Sequence, residues 1–227
     1  MSAAAFFDLD RTLLRRSSAL ALAPSFRERG LISRAQLAKA AGWQLLFVLR
    51  GASHGAVRRA AEDGLLVLRG FRPEQMRELV GGALERVLRP LVYQEGIDLV
   101  AHHHERGEPV YVVSATLQEI VETIAEDLGF DGALGTVCEL GPDGAYTGRA
   151  LRALHADAKA ACVRELAAER GYDLETCTAY SDSHTDLPFL EAVGHPVAVN
   201  PDRRLRRIAA ARGWPVLEFS GRAFRAA

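Results

Sequence analysis

The 227-residue chain is 48% hydrophobic and 25% charged, a balance that supports a buried core and excludes an intrinsically disordered chain. Its 28 basic and 29 acidic side chains leave a net charge of -1, so no global field recruits nucleic acid or an anionic membrane surface, and any anion site must be local. Cys138, Cys162 and Cys177 are odd in number and form no C-x-x-C pair, which fits buried thiols in a reducing compartment better than a disulfide frame or a zinc site.

In chain order, Ala4 to Phe7 is a short apolar run that reads as a buried strand. From about Leu14 to Pro90 the pattern is helical throughout. One helix opens at Ser33 and runs through "AQLAKAAGWQLLFVLR", a second is "HGAVRRAAEDGLLVLRG", and glycines 51 and 70 punctuate them. The third is "RPEQMRELVGGALERVLRP", where Pro73 suits a first turn and Met76, Leu79, Val80, Ala83, Leu84, Val87 and Leu88 recur at three and four. Beyond Pro90 strands and helices alternate: helix 97–106, strand "PVYVVS", helix 116–128, a hairpin on "GPDG", helix 157–170, strand "CTAYS", helix 185–192, strand "PVAV", helix 202–212 and strand "WPVLEF". Apolar strands alternating with helices predict an α/β fold whose parallel sheet is covered on both faces. The helical segment is then an insertion after the first strand. With neither a leader of the secretory type nor an apolar run of membrane-span length, the expected setting is cytoplasmic, without stable membrane insertion.

In an open parallel sheet, ligands bind beyond the carboxyl ends of the strands. Polar residues collect there: Asp8, Asp10 and Thr12 after the first strand, Ser114 after "VYVV" and before a helix, Asp182 and Asp186 in "YSDSHTDLP". Lys159 falls in the first turn or two of the helix after the hairpin, and it and Lys39 are the only lysines. Right-handed crossovers would bring these groups together. Carboxylates so gathered repel unless compensated, and magnesium, which takes oxygen ligands and substrate phosphate, is the natural counterion. One carboxylate can then attack phosphorus, a second can protonate the leaving oxygen, and lysine and serine can hold the phosphoryl oxygens.

"DLDRT", "VVSAT", Lys159 and "SDSHTD" resemble the four ordered motifs of the haloacid dehalogenase-like (HAD) phosphohydrolases, over Ala4 to about Pro201. The position of the helical insertion and "DGAYTGR" before the lysine helix resemble the phosphoserine phosphatase-like branch, subfamily IB. The resemblance implies a Rossmann-like core from residues 1–13 and 91–227, with residues 14–90 as an inserted α-helical cap closing over the substrate on hinges near Leu13 and Pro90. It implies Asp8 as nucleophile and magnesium ligand, and Asp10 as general acid and then base, its backbone carbonyl on the metal. Thr12 would steady Asp10 or its loop, counted with Ser114 and Lys159 among the phosphate-binding groups. Asp182 would bind magnesium, and Asp186 would orient Lys159 or the metal's waters. The second aspartate, Asp10, favours phosphoryl chemistry over halide displacement. The implied activity is a magnesium-dependent phosphomonoesterase acting on a small phosphate ester through an aspartyl phosphate.

Two departures bear on the substrate. Where phosphoserine phosphatases carry a glutamate five positions after the motif threonine, this chain has Ser17, which counts against phosphoserine; Arg15 and Arg16 beside it would suit a second anionic group. Thr185 stands where the branch often has asparagine. Rival readings are a phosphotransferase using the same intermediate and a non-enzymatic phospho-acceptor domain. Plainer readings also exist: Asp8 with Asp10 as a turn-and-cap pair, Ser114 as a helix opener, Asp182 and Asp186 as caps. Consecutive His102, His103 and His104 would point to different helix faces, so two at most could share an ion, which counts against a metal cluster. His184, inside the acidic loop, is a candidate substrate contact, and the "WQLLFVL" run around Trp43 reads as a packed cap helix.

Overall fold

The computed structural model describes residues 2–30 and 65–221. The first strand, β1 (Ala5–Phe7), is only three residues long and fully buried. It lies mid-sheet, paired in parallel with β2 (Val110–Leu117) on one side and β5 (Thr178–Ser181) on the other. A strand buried on both faces needs no polar alternation, which is why "AFF" suffices. Phe6 and Phe7 point to opposite faces, into separate cores, and burying each ring contributes about 1.5–3 kcal/mol.

The remaining strands are β3 (Gly132–Leu140), β4 (Tyr146–Arg152), β6 (His195–Val199) and β7 (Val216–Leu217). The sheet order is β4-β3-β2-β1-β5-β6-β7, with every neighbouring pair parallel except β3 and β4. That exception is the hairpin expected on "GPDG", where Gly144 takes φ 75 and Gly141 N–H closes on Ala145 O at 2.8 Å. The α/β architecture read from the alternation is the one observed.

Helices α1 (Ser18–Glu28) and α2 (Pro73–Ala83) come from the segment between β1 and β2. Pro73 opens α2 as expected, and a widened turn (Leu84–Leu88) and a 3-10 turn (Arg89–Leu91) replace its anticipated last turns. The apolar faces of α1 and α2 (Leu22, Phe26, Met76, Leu79, Val80) share a core with Phe7, Val112, Ile120 and Ile124. The chain leaves and re-enters the sheet layer at adjacent points: Arg15 N–H donates to Leu91 O at 2.8 Å and Tyr93 N–H to Leu13 O at 2.9 Å. The expected helix opening at Ser33, the Trp43 run and most of "HGAVRRAAEDGLLVLRG" lie outside the described residues.

The other helices are α3 (Gln94–Glu105), α4 (Gln118–Asp127), α5 (Asp157–Arg170), the single turn α6 (Leu187–Leu190) and α7 (Arg203–Arg212). Asp202 caps α7 by accepting from the amides of Arg204 and Leu205, and Gly171 and Gly213 end α5 and α7 in left-handed conformations. Several boundaries differ from expectation, and the helix predicted over 97–106 already begins at Gln94. The helix predicted from Thr116 starts at Gln118, because β2 continues through Leu117. A register shift between Val113 and Leu117, with the Thr136 hydroxyl on Ala115 O at 2.8 Å, lets long β3 carry β2 onward. Gly135 permits the close approach: a Cβ there would sit 2.6 Å from Gln118 Cα. The helix predicted over 185–192 is a 3-10 turn (His184–Asp186) followed by α6.

Candidate active site

Because β1 and β5 are in register at Phe7 and Tyr180, the residues after each strand emerge side by side, and Asp8 N–H donates to Tyr180 O at 2.9 Å. Asp8 and Asp182 therefore leave the same edge of the sheet. Lys159, third residue of α5 and 2% exposed, reaches into this edge. Its Nζ donates to Asp8 Oδ1 at 2.6 Å and to Asp186 Oδ2 at 2.7 Å. The Thr12 hydroxyl donates to Asp8 Oδ2 at 3.2 Å, so both oxygens of Asp8 are held. Thr12 thus steadies Asp8 rather than Asp10. Ser181, not singled out from the sequence, donates its hydroxyl to Asp186 Oδ2 at 2.8 Å and so fixes the carboxylate that holds Lys159.

Asp10 lies in an adjoining cluster. Its Oδ1 accepts the Ser18 N–H at 2.7 Å, at the first turn of α1, and Thr116 Oγ1 stands 3.5 Å from its Oδ2. Ser114 is buried, but it sits inside β2 rather than at a helix N-terminus, and its Oγ accepts the Thr116 N–H at 3.2 Å. Ser18 and Thr116 were also missed in the sequence; a serine opening a helix and a threonine in a strand carry no signal of their own.

Four carboxylates here meet one buried ammonium. Burial, opposed by Lys159 and reinforced by Asp186, pushes the Asp8 carboxyl up to about 7. Burial and the neighbouring Asp8 charge push Asp182 up to about 8, against the pull of Arg11. Asp10 is also raised, by burial, which outweighs its hydrogen bond from the Ser18 amide. Burial disfavours the Lys159 ammonium, yet Asp186 and Asp8 more than offset it and hold the lysine charged.

Asp182 Oδ2 is buried and has no hydrogen-bond donor. The Nε of half-exposed Arg11, whose backbone adopts φ 69, lies 3.4 Å away as an ion-pair contact. Asp182, whose carboxyl the neighbouring Asp8 charge raises and whose buried Oδ2 lacks a donor, fits together with Asp8 a hard divalent cation of the magnesium type. Among the described residues no three His, Cys, Asp or Glu side chains form a metal-holding group, so any ion here rests on few protein ligands, as magnesium commonly does.

Three of the histidines are held by neighbouring side chains. Buried His103 contacts Glu108 Oε2 at 2.6 Å through Nδ1 and the Tyr180 hydroxyl at 2.8 Å through Nε2, while His104 pairs with Asp131 at 2.9 Å. His184 is held by Asp202, through its backbone N–H at 2.9 Å and Nδ1 at 2.8 Å. A cavity of about 530 Å³ opens at the other end of the strands, lined by Ala3, His102, Arg106, Thr178 and His195 among others.

Comparison with known proteins agrees with this arrangement. The family model for haloacid dehalogenase-like hydrolases matches residues 5–191. A probable phosphatase of Mycobacterium tuberculosis is 46% identical over 96% of this chain and 75% of its own length. A phosphoserine phosphatase of the same organism is 36% identical over 96% of this chain and 71% of its own. The crystal structure of a Bordetella pertussis Tohama I protein of unknown function superposes with a TM-score of 0.82, at 30% identity, covering 96% of this chain and 98% of its own. No helix among the described residues is long and apolar enough to cross a membrane. With the motif-bearing strands, the acidic edge and a family match across most of the sequence in agreement, the chain belongs to the haloacid dehalogenase-like hydrolases, among relatives named as phosphatases.

Proposed function

We propose that the protein is a magnesium-dependent phosphomonoesterase that hydrolyses a small phosphate ester through a phosphorylated Asp8. The observation that carries this reading is the buried Asp8 carboxylate, fixed on both oxygens by Lys159 and Thr12 and facing Asp182. Magnesium would be held by Asp8, Asp182 and the Asp10 backbone carbonyl. Bound there, it would neutralise the paired carboxylates and the incoming phosphoryl charge.

The residues then divide the reaction. Asp8, anchored so that its attack geometry is preset, adds to phosphorus as the ester oxygen leaves. Asp10, whose carboxyl burial raises, would give a proton to that oxygen; it would next take one from the water that hydrolyses the acyl phosphate. Lys159 and Ser114 offset and orient the phosphoryl oxygens. Asp186 and Ser181 keep Lys159 aimed at Asp8. Residues 14–90 would act as a cap that excludes water during attack and opens for release.

Ser17, in place of the glutamate of phosphoserine phosphatases, favours an ester without an ammonium group beside the phosphate, so a small non-amino phosphomonoester is the substrate class we assign. Three buried free thiols accord with a cytoplasmic setting. The test is phosphate release from a panel of small phosphomonoesters with magnesium, beside a chelator control and Asp8→Asn. Turnover lost in both controls supports the reading; no turnover on any ester by folded, metal-supplied protein overturns it.

A further inference from the structure

We propose that Thr116 is a positioning residue for Asp10, coupling its carboxylate to the phosphate-side Ser114 and to the first turn of α1. The inference rests on the phosphatase reading above.

The geometry places Thr116 at a junction of three groups. Its backbone N–H donates to Ser114 Oγ at 3.2 Å. Its hydroxyl stands 3.5 Å from Asp10 Oδ2 and 3.3 Å from Ser18 Oγ. Ser18 in turn donates its backbone N–H to Asp10 Oδ1 at 2.7 Å. One oxygen of Asp10 is therefore tied to the Ser18 amide, while the other faces the Thr116 hydroxyl, which Ser18 Oγ contacts in turn. Thr116 thus bounds the Asp10 carboxylate on the side away from the Ser18 amide and limits its rotation. Ser18 is completely buried and opens α1, so the orientation of Asp10 also depends on where that helix sits. Valine has nearly the shape of threonine but no hydroxyl, which makes the contact separable from packing.

The experiment compares wild type, Thr116→Val, Thr116→Ser and Ser18→Ala on two esters, an alkyl phosphate and 4-nitrophenyl phosphate. Steady-state kcat/KM reports the steps through the first irreversible one, attack by Asp8. The nitrophenolate leaves without a proton, whereas the alkoxide needs one from Asp10. We expect Thr116→Val to lower kcat/KM for the alkyl ester roughly tenfold or more and for the aryl ester by less than about threefold. Thr116→Ser restores the alkyl value. Ser18→Ala, which keeps the amide donor, falls between. Equal losses on both esters, or no loss, overturn the proposal. If wild type hydrolyses neither ester, the phosphatase reading fails separately. Crystal structures of wild type and Thr116→Val then decide the positioning role: it stands if the Asp10 carboxylate turns from the Ser18 amide in the variant, and falls if the carboxylate stays.

Discussion

The two ends of the central strands both bury polar side chains, but only one end satisfies them. At the amino end, His103 spans Glu108 and Tyr180 at 2.6 and 2.8 Å, and Arg106 Nε donates to the other Glu108 oxygen at 2.8 Å. Burial lowers the His103 pKa and raises Tyr180 to about 12, so both rest in their neutral forms. At the carboxyl end, Lys159 pairs with Asp8 and Asp186, while Asp182 Oδ2, in ion-pair range of half-exposed Arg11, has no hydrogen-bond donor. Burial alone therefore does not mark a working site. What separates the two ends is charge the fold leaves uncompensated, which a ligand could complete.

Experiments can break that contrast. The largest effect expected is Asp8→Asn, which should cut turnover at least ~10³-fold without loss of thermal stability, since it removes one of several mutually repelling carboxylates. A marked fall in melting temperature would show Asp8 to be a structural group like His103. Lys159→Met should cost about 3–5 kcal/mol in urea unfolding, because it strands Asp8 and Asp186 without a counterion; a loss under about 1 kcal/mol would mean that the carboxylates are already neutral.

Metal and pH should act on the same end. With Asp8 and Asp182 raised to about 7 and 8 from 3.8, the metal-free folded state binds more protons than the unfolded chain between about pH 4 and 8. Stability of the metal-free protein should then decline as pH rises through that window. Magnesium at a hundred times its dissociation constant should return about 2.7 kcal/mol near pH 8, and not in Asp182→Asn. A stability profile that rises from pH 5 to 8 in chelator would contradict these shifts. The smallest effect is expected at the satisfied end. Glu108→Gln should cost about 1–3 kcal/mol and leave kcat within roughly twofold; a selective collapse of kcat would make the two ends functionally continuous.

Much of the acidic edge was readable because strand-terminal polar residues interrupt apolar runs: Asp8, Asp10, Asp182 and Asp186 each follow or sit near such a run. Lys159 stood out by scarcity. Residues whose role comes from contacts distant in sequence left no local signature. Ser181 belongs to the strand pattern of "CTAYS", and Thr116 was assigned to a helix it does not join, because the β3 partner that prolongs β2 is invisible in the β2 segment itself. The resemblance has Thr12 steady Asp10 or its loop, whereas the turn after β1 folds its hydroxyl back onto Asp8. The tie of His103 to Tyr180 likewise left no mark in the sequence and needed the fold.

The three-residue β1 also has a kinetic consequence. Its hydrogen-bonding partners lie at Val110 and Thr178, and the Lys159–Asp8 pair closes 151 residues of chain. Closing such long loops comes before the contacts that reward it, so the topology belongs with slow folders of high contact order. During synthesis Asp8 emerges well before Lys159 and Asp182, which lie 151 residues and more further along the chain. A nascent chain ending before Asp182 would carry Asp8 without Asp182 and Asp186 and should hydrolyse nothing. Activity should then appear in a single late step, as the last parallel strands dock against β1.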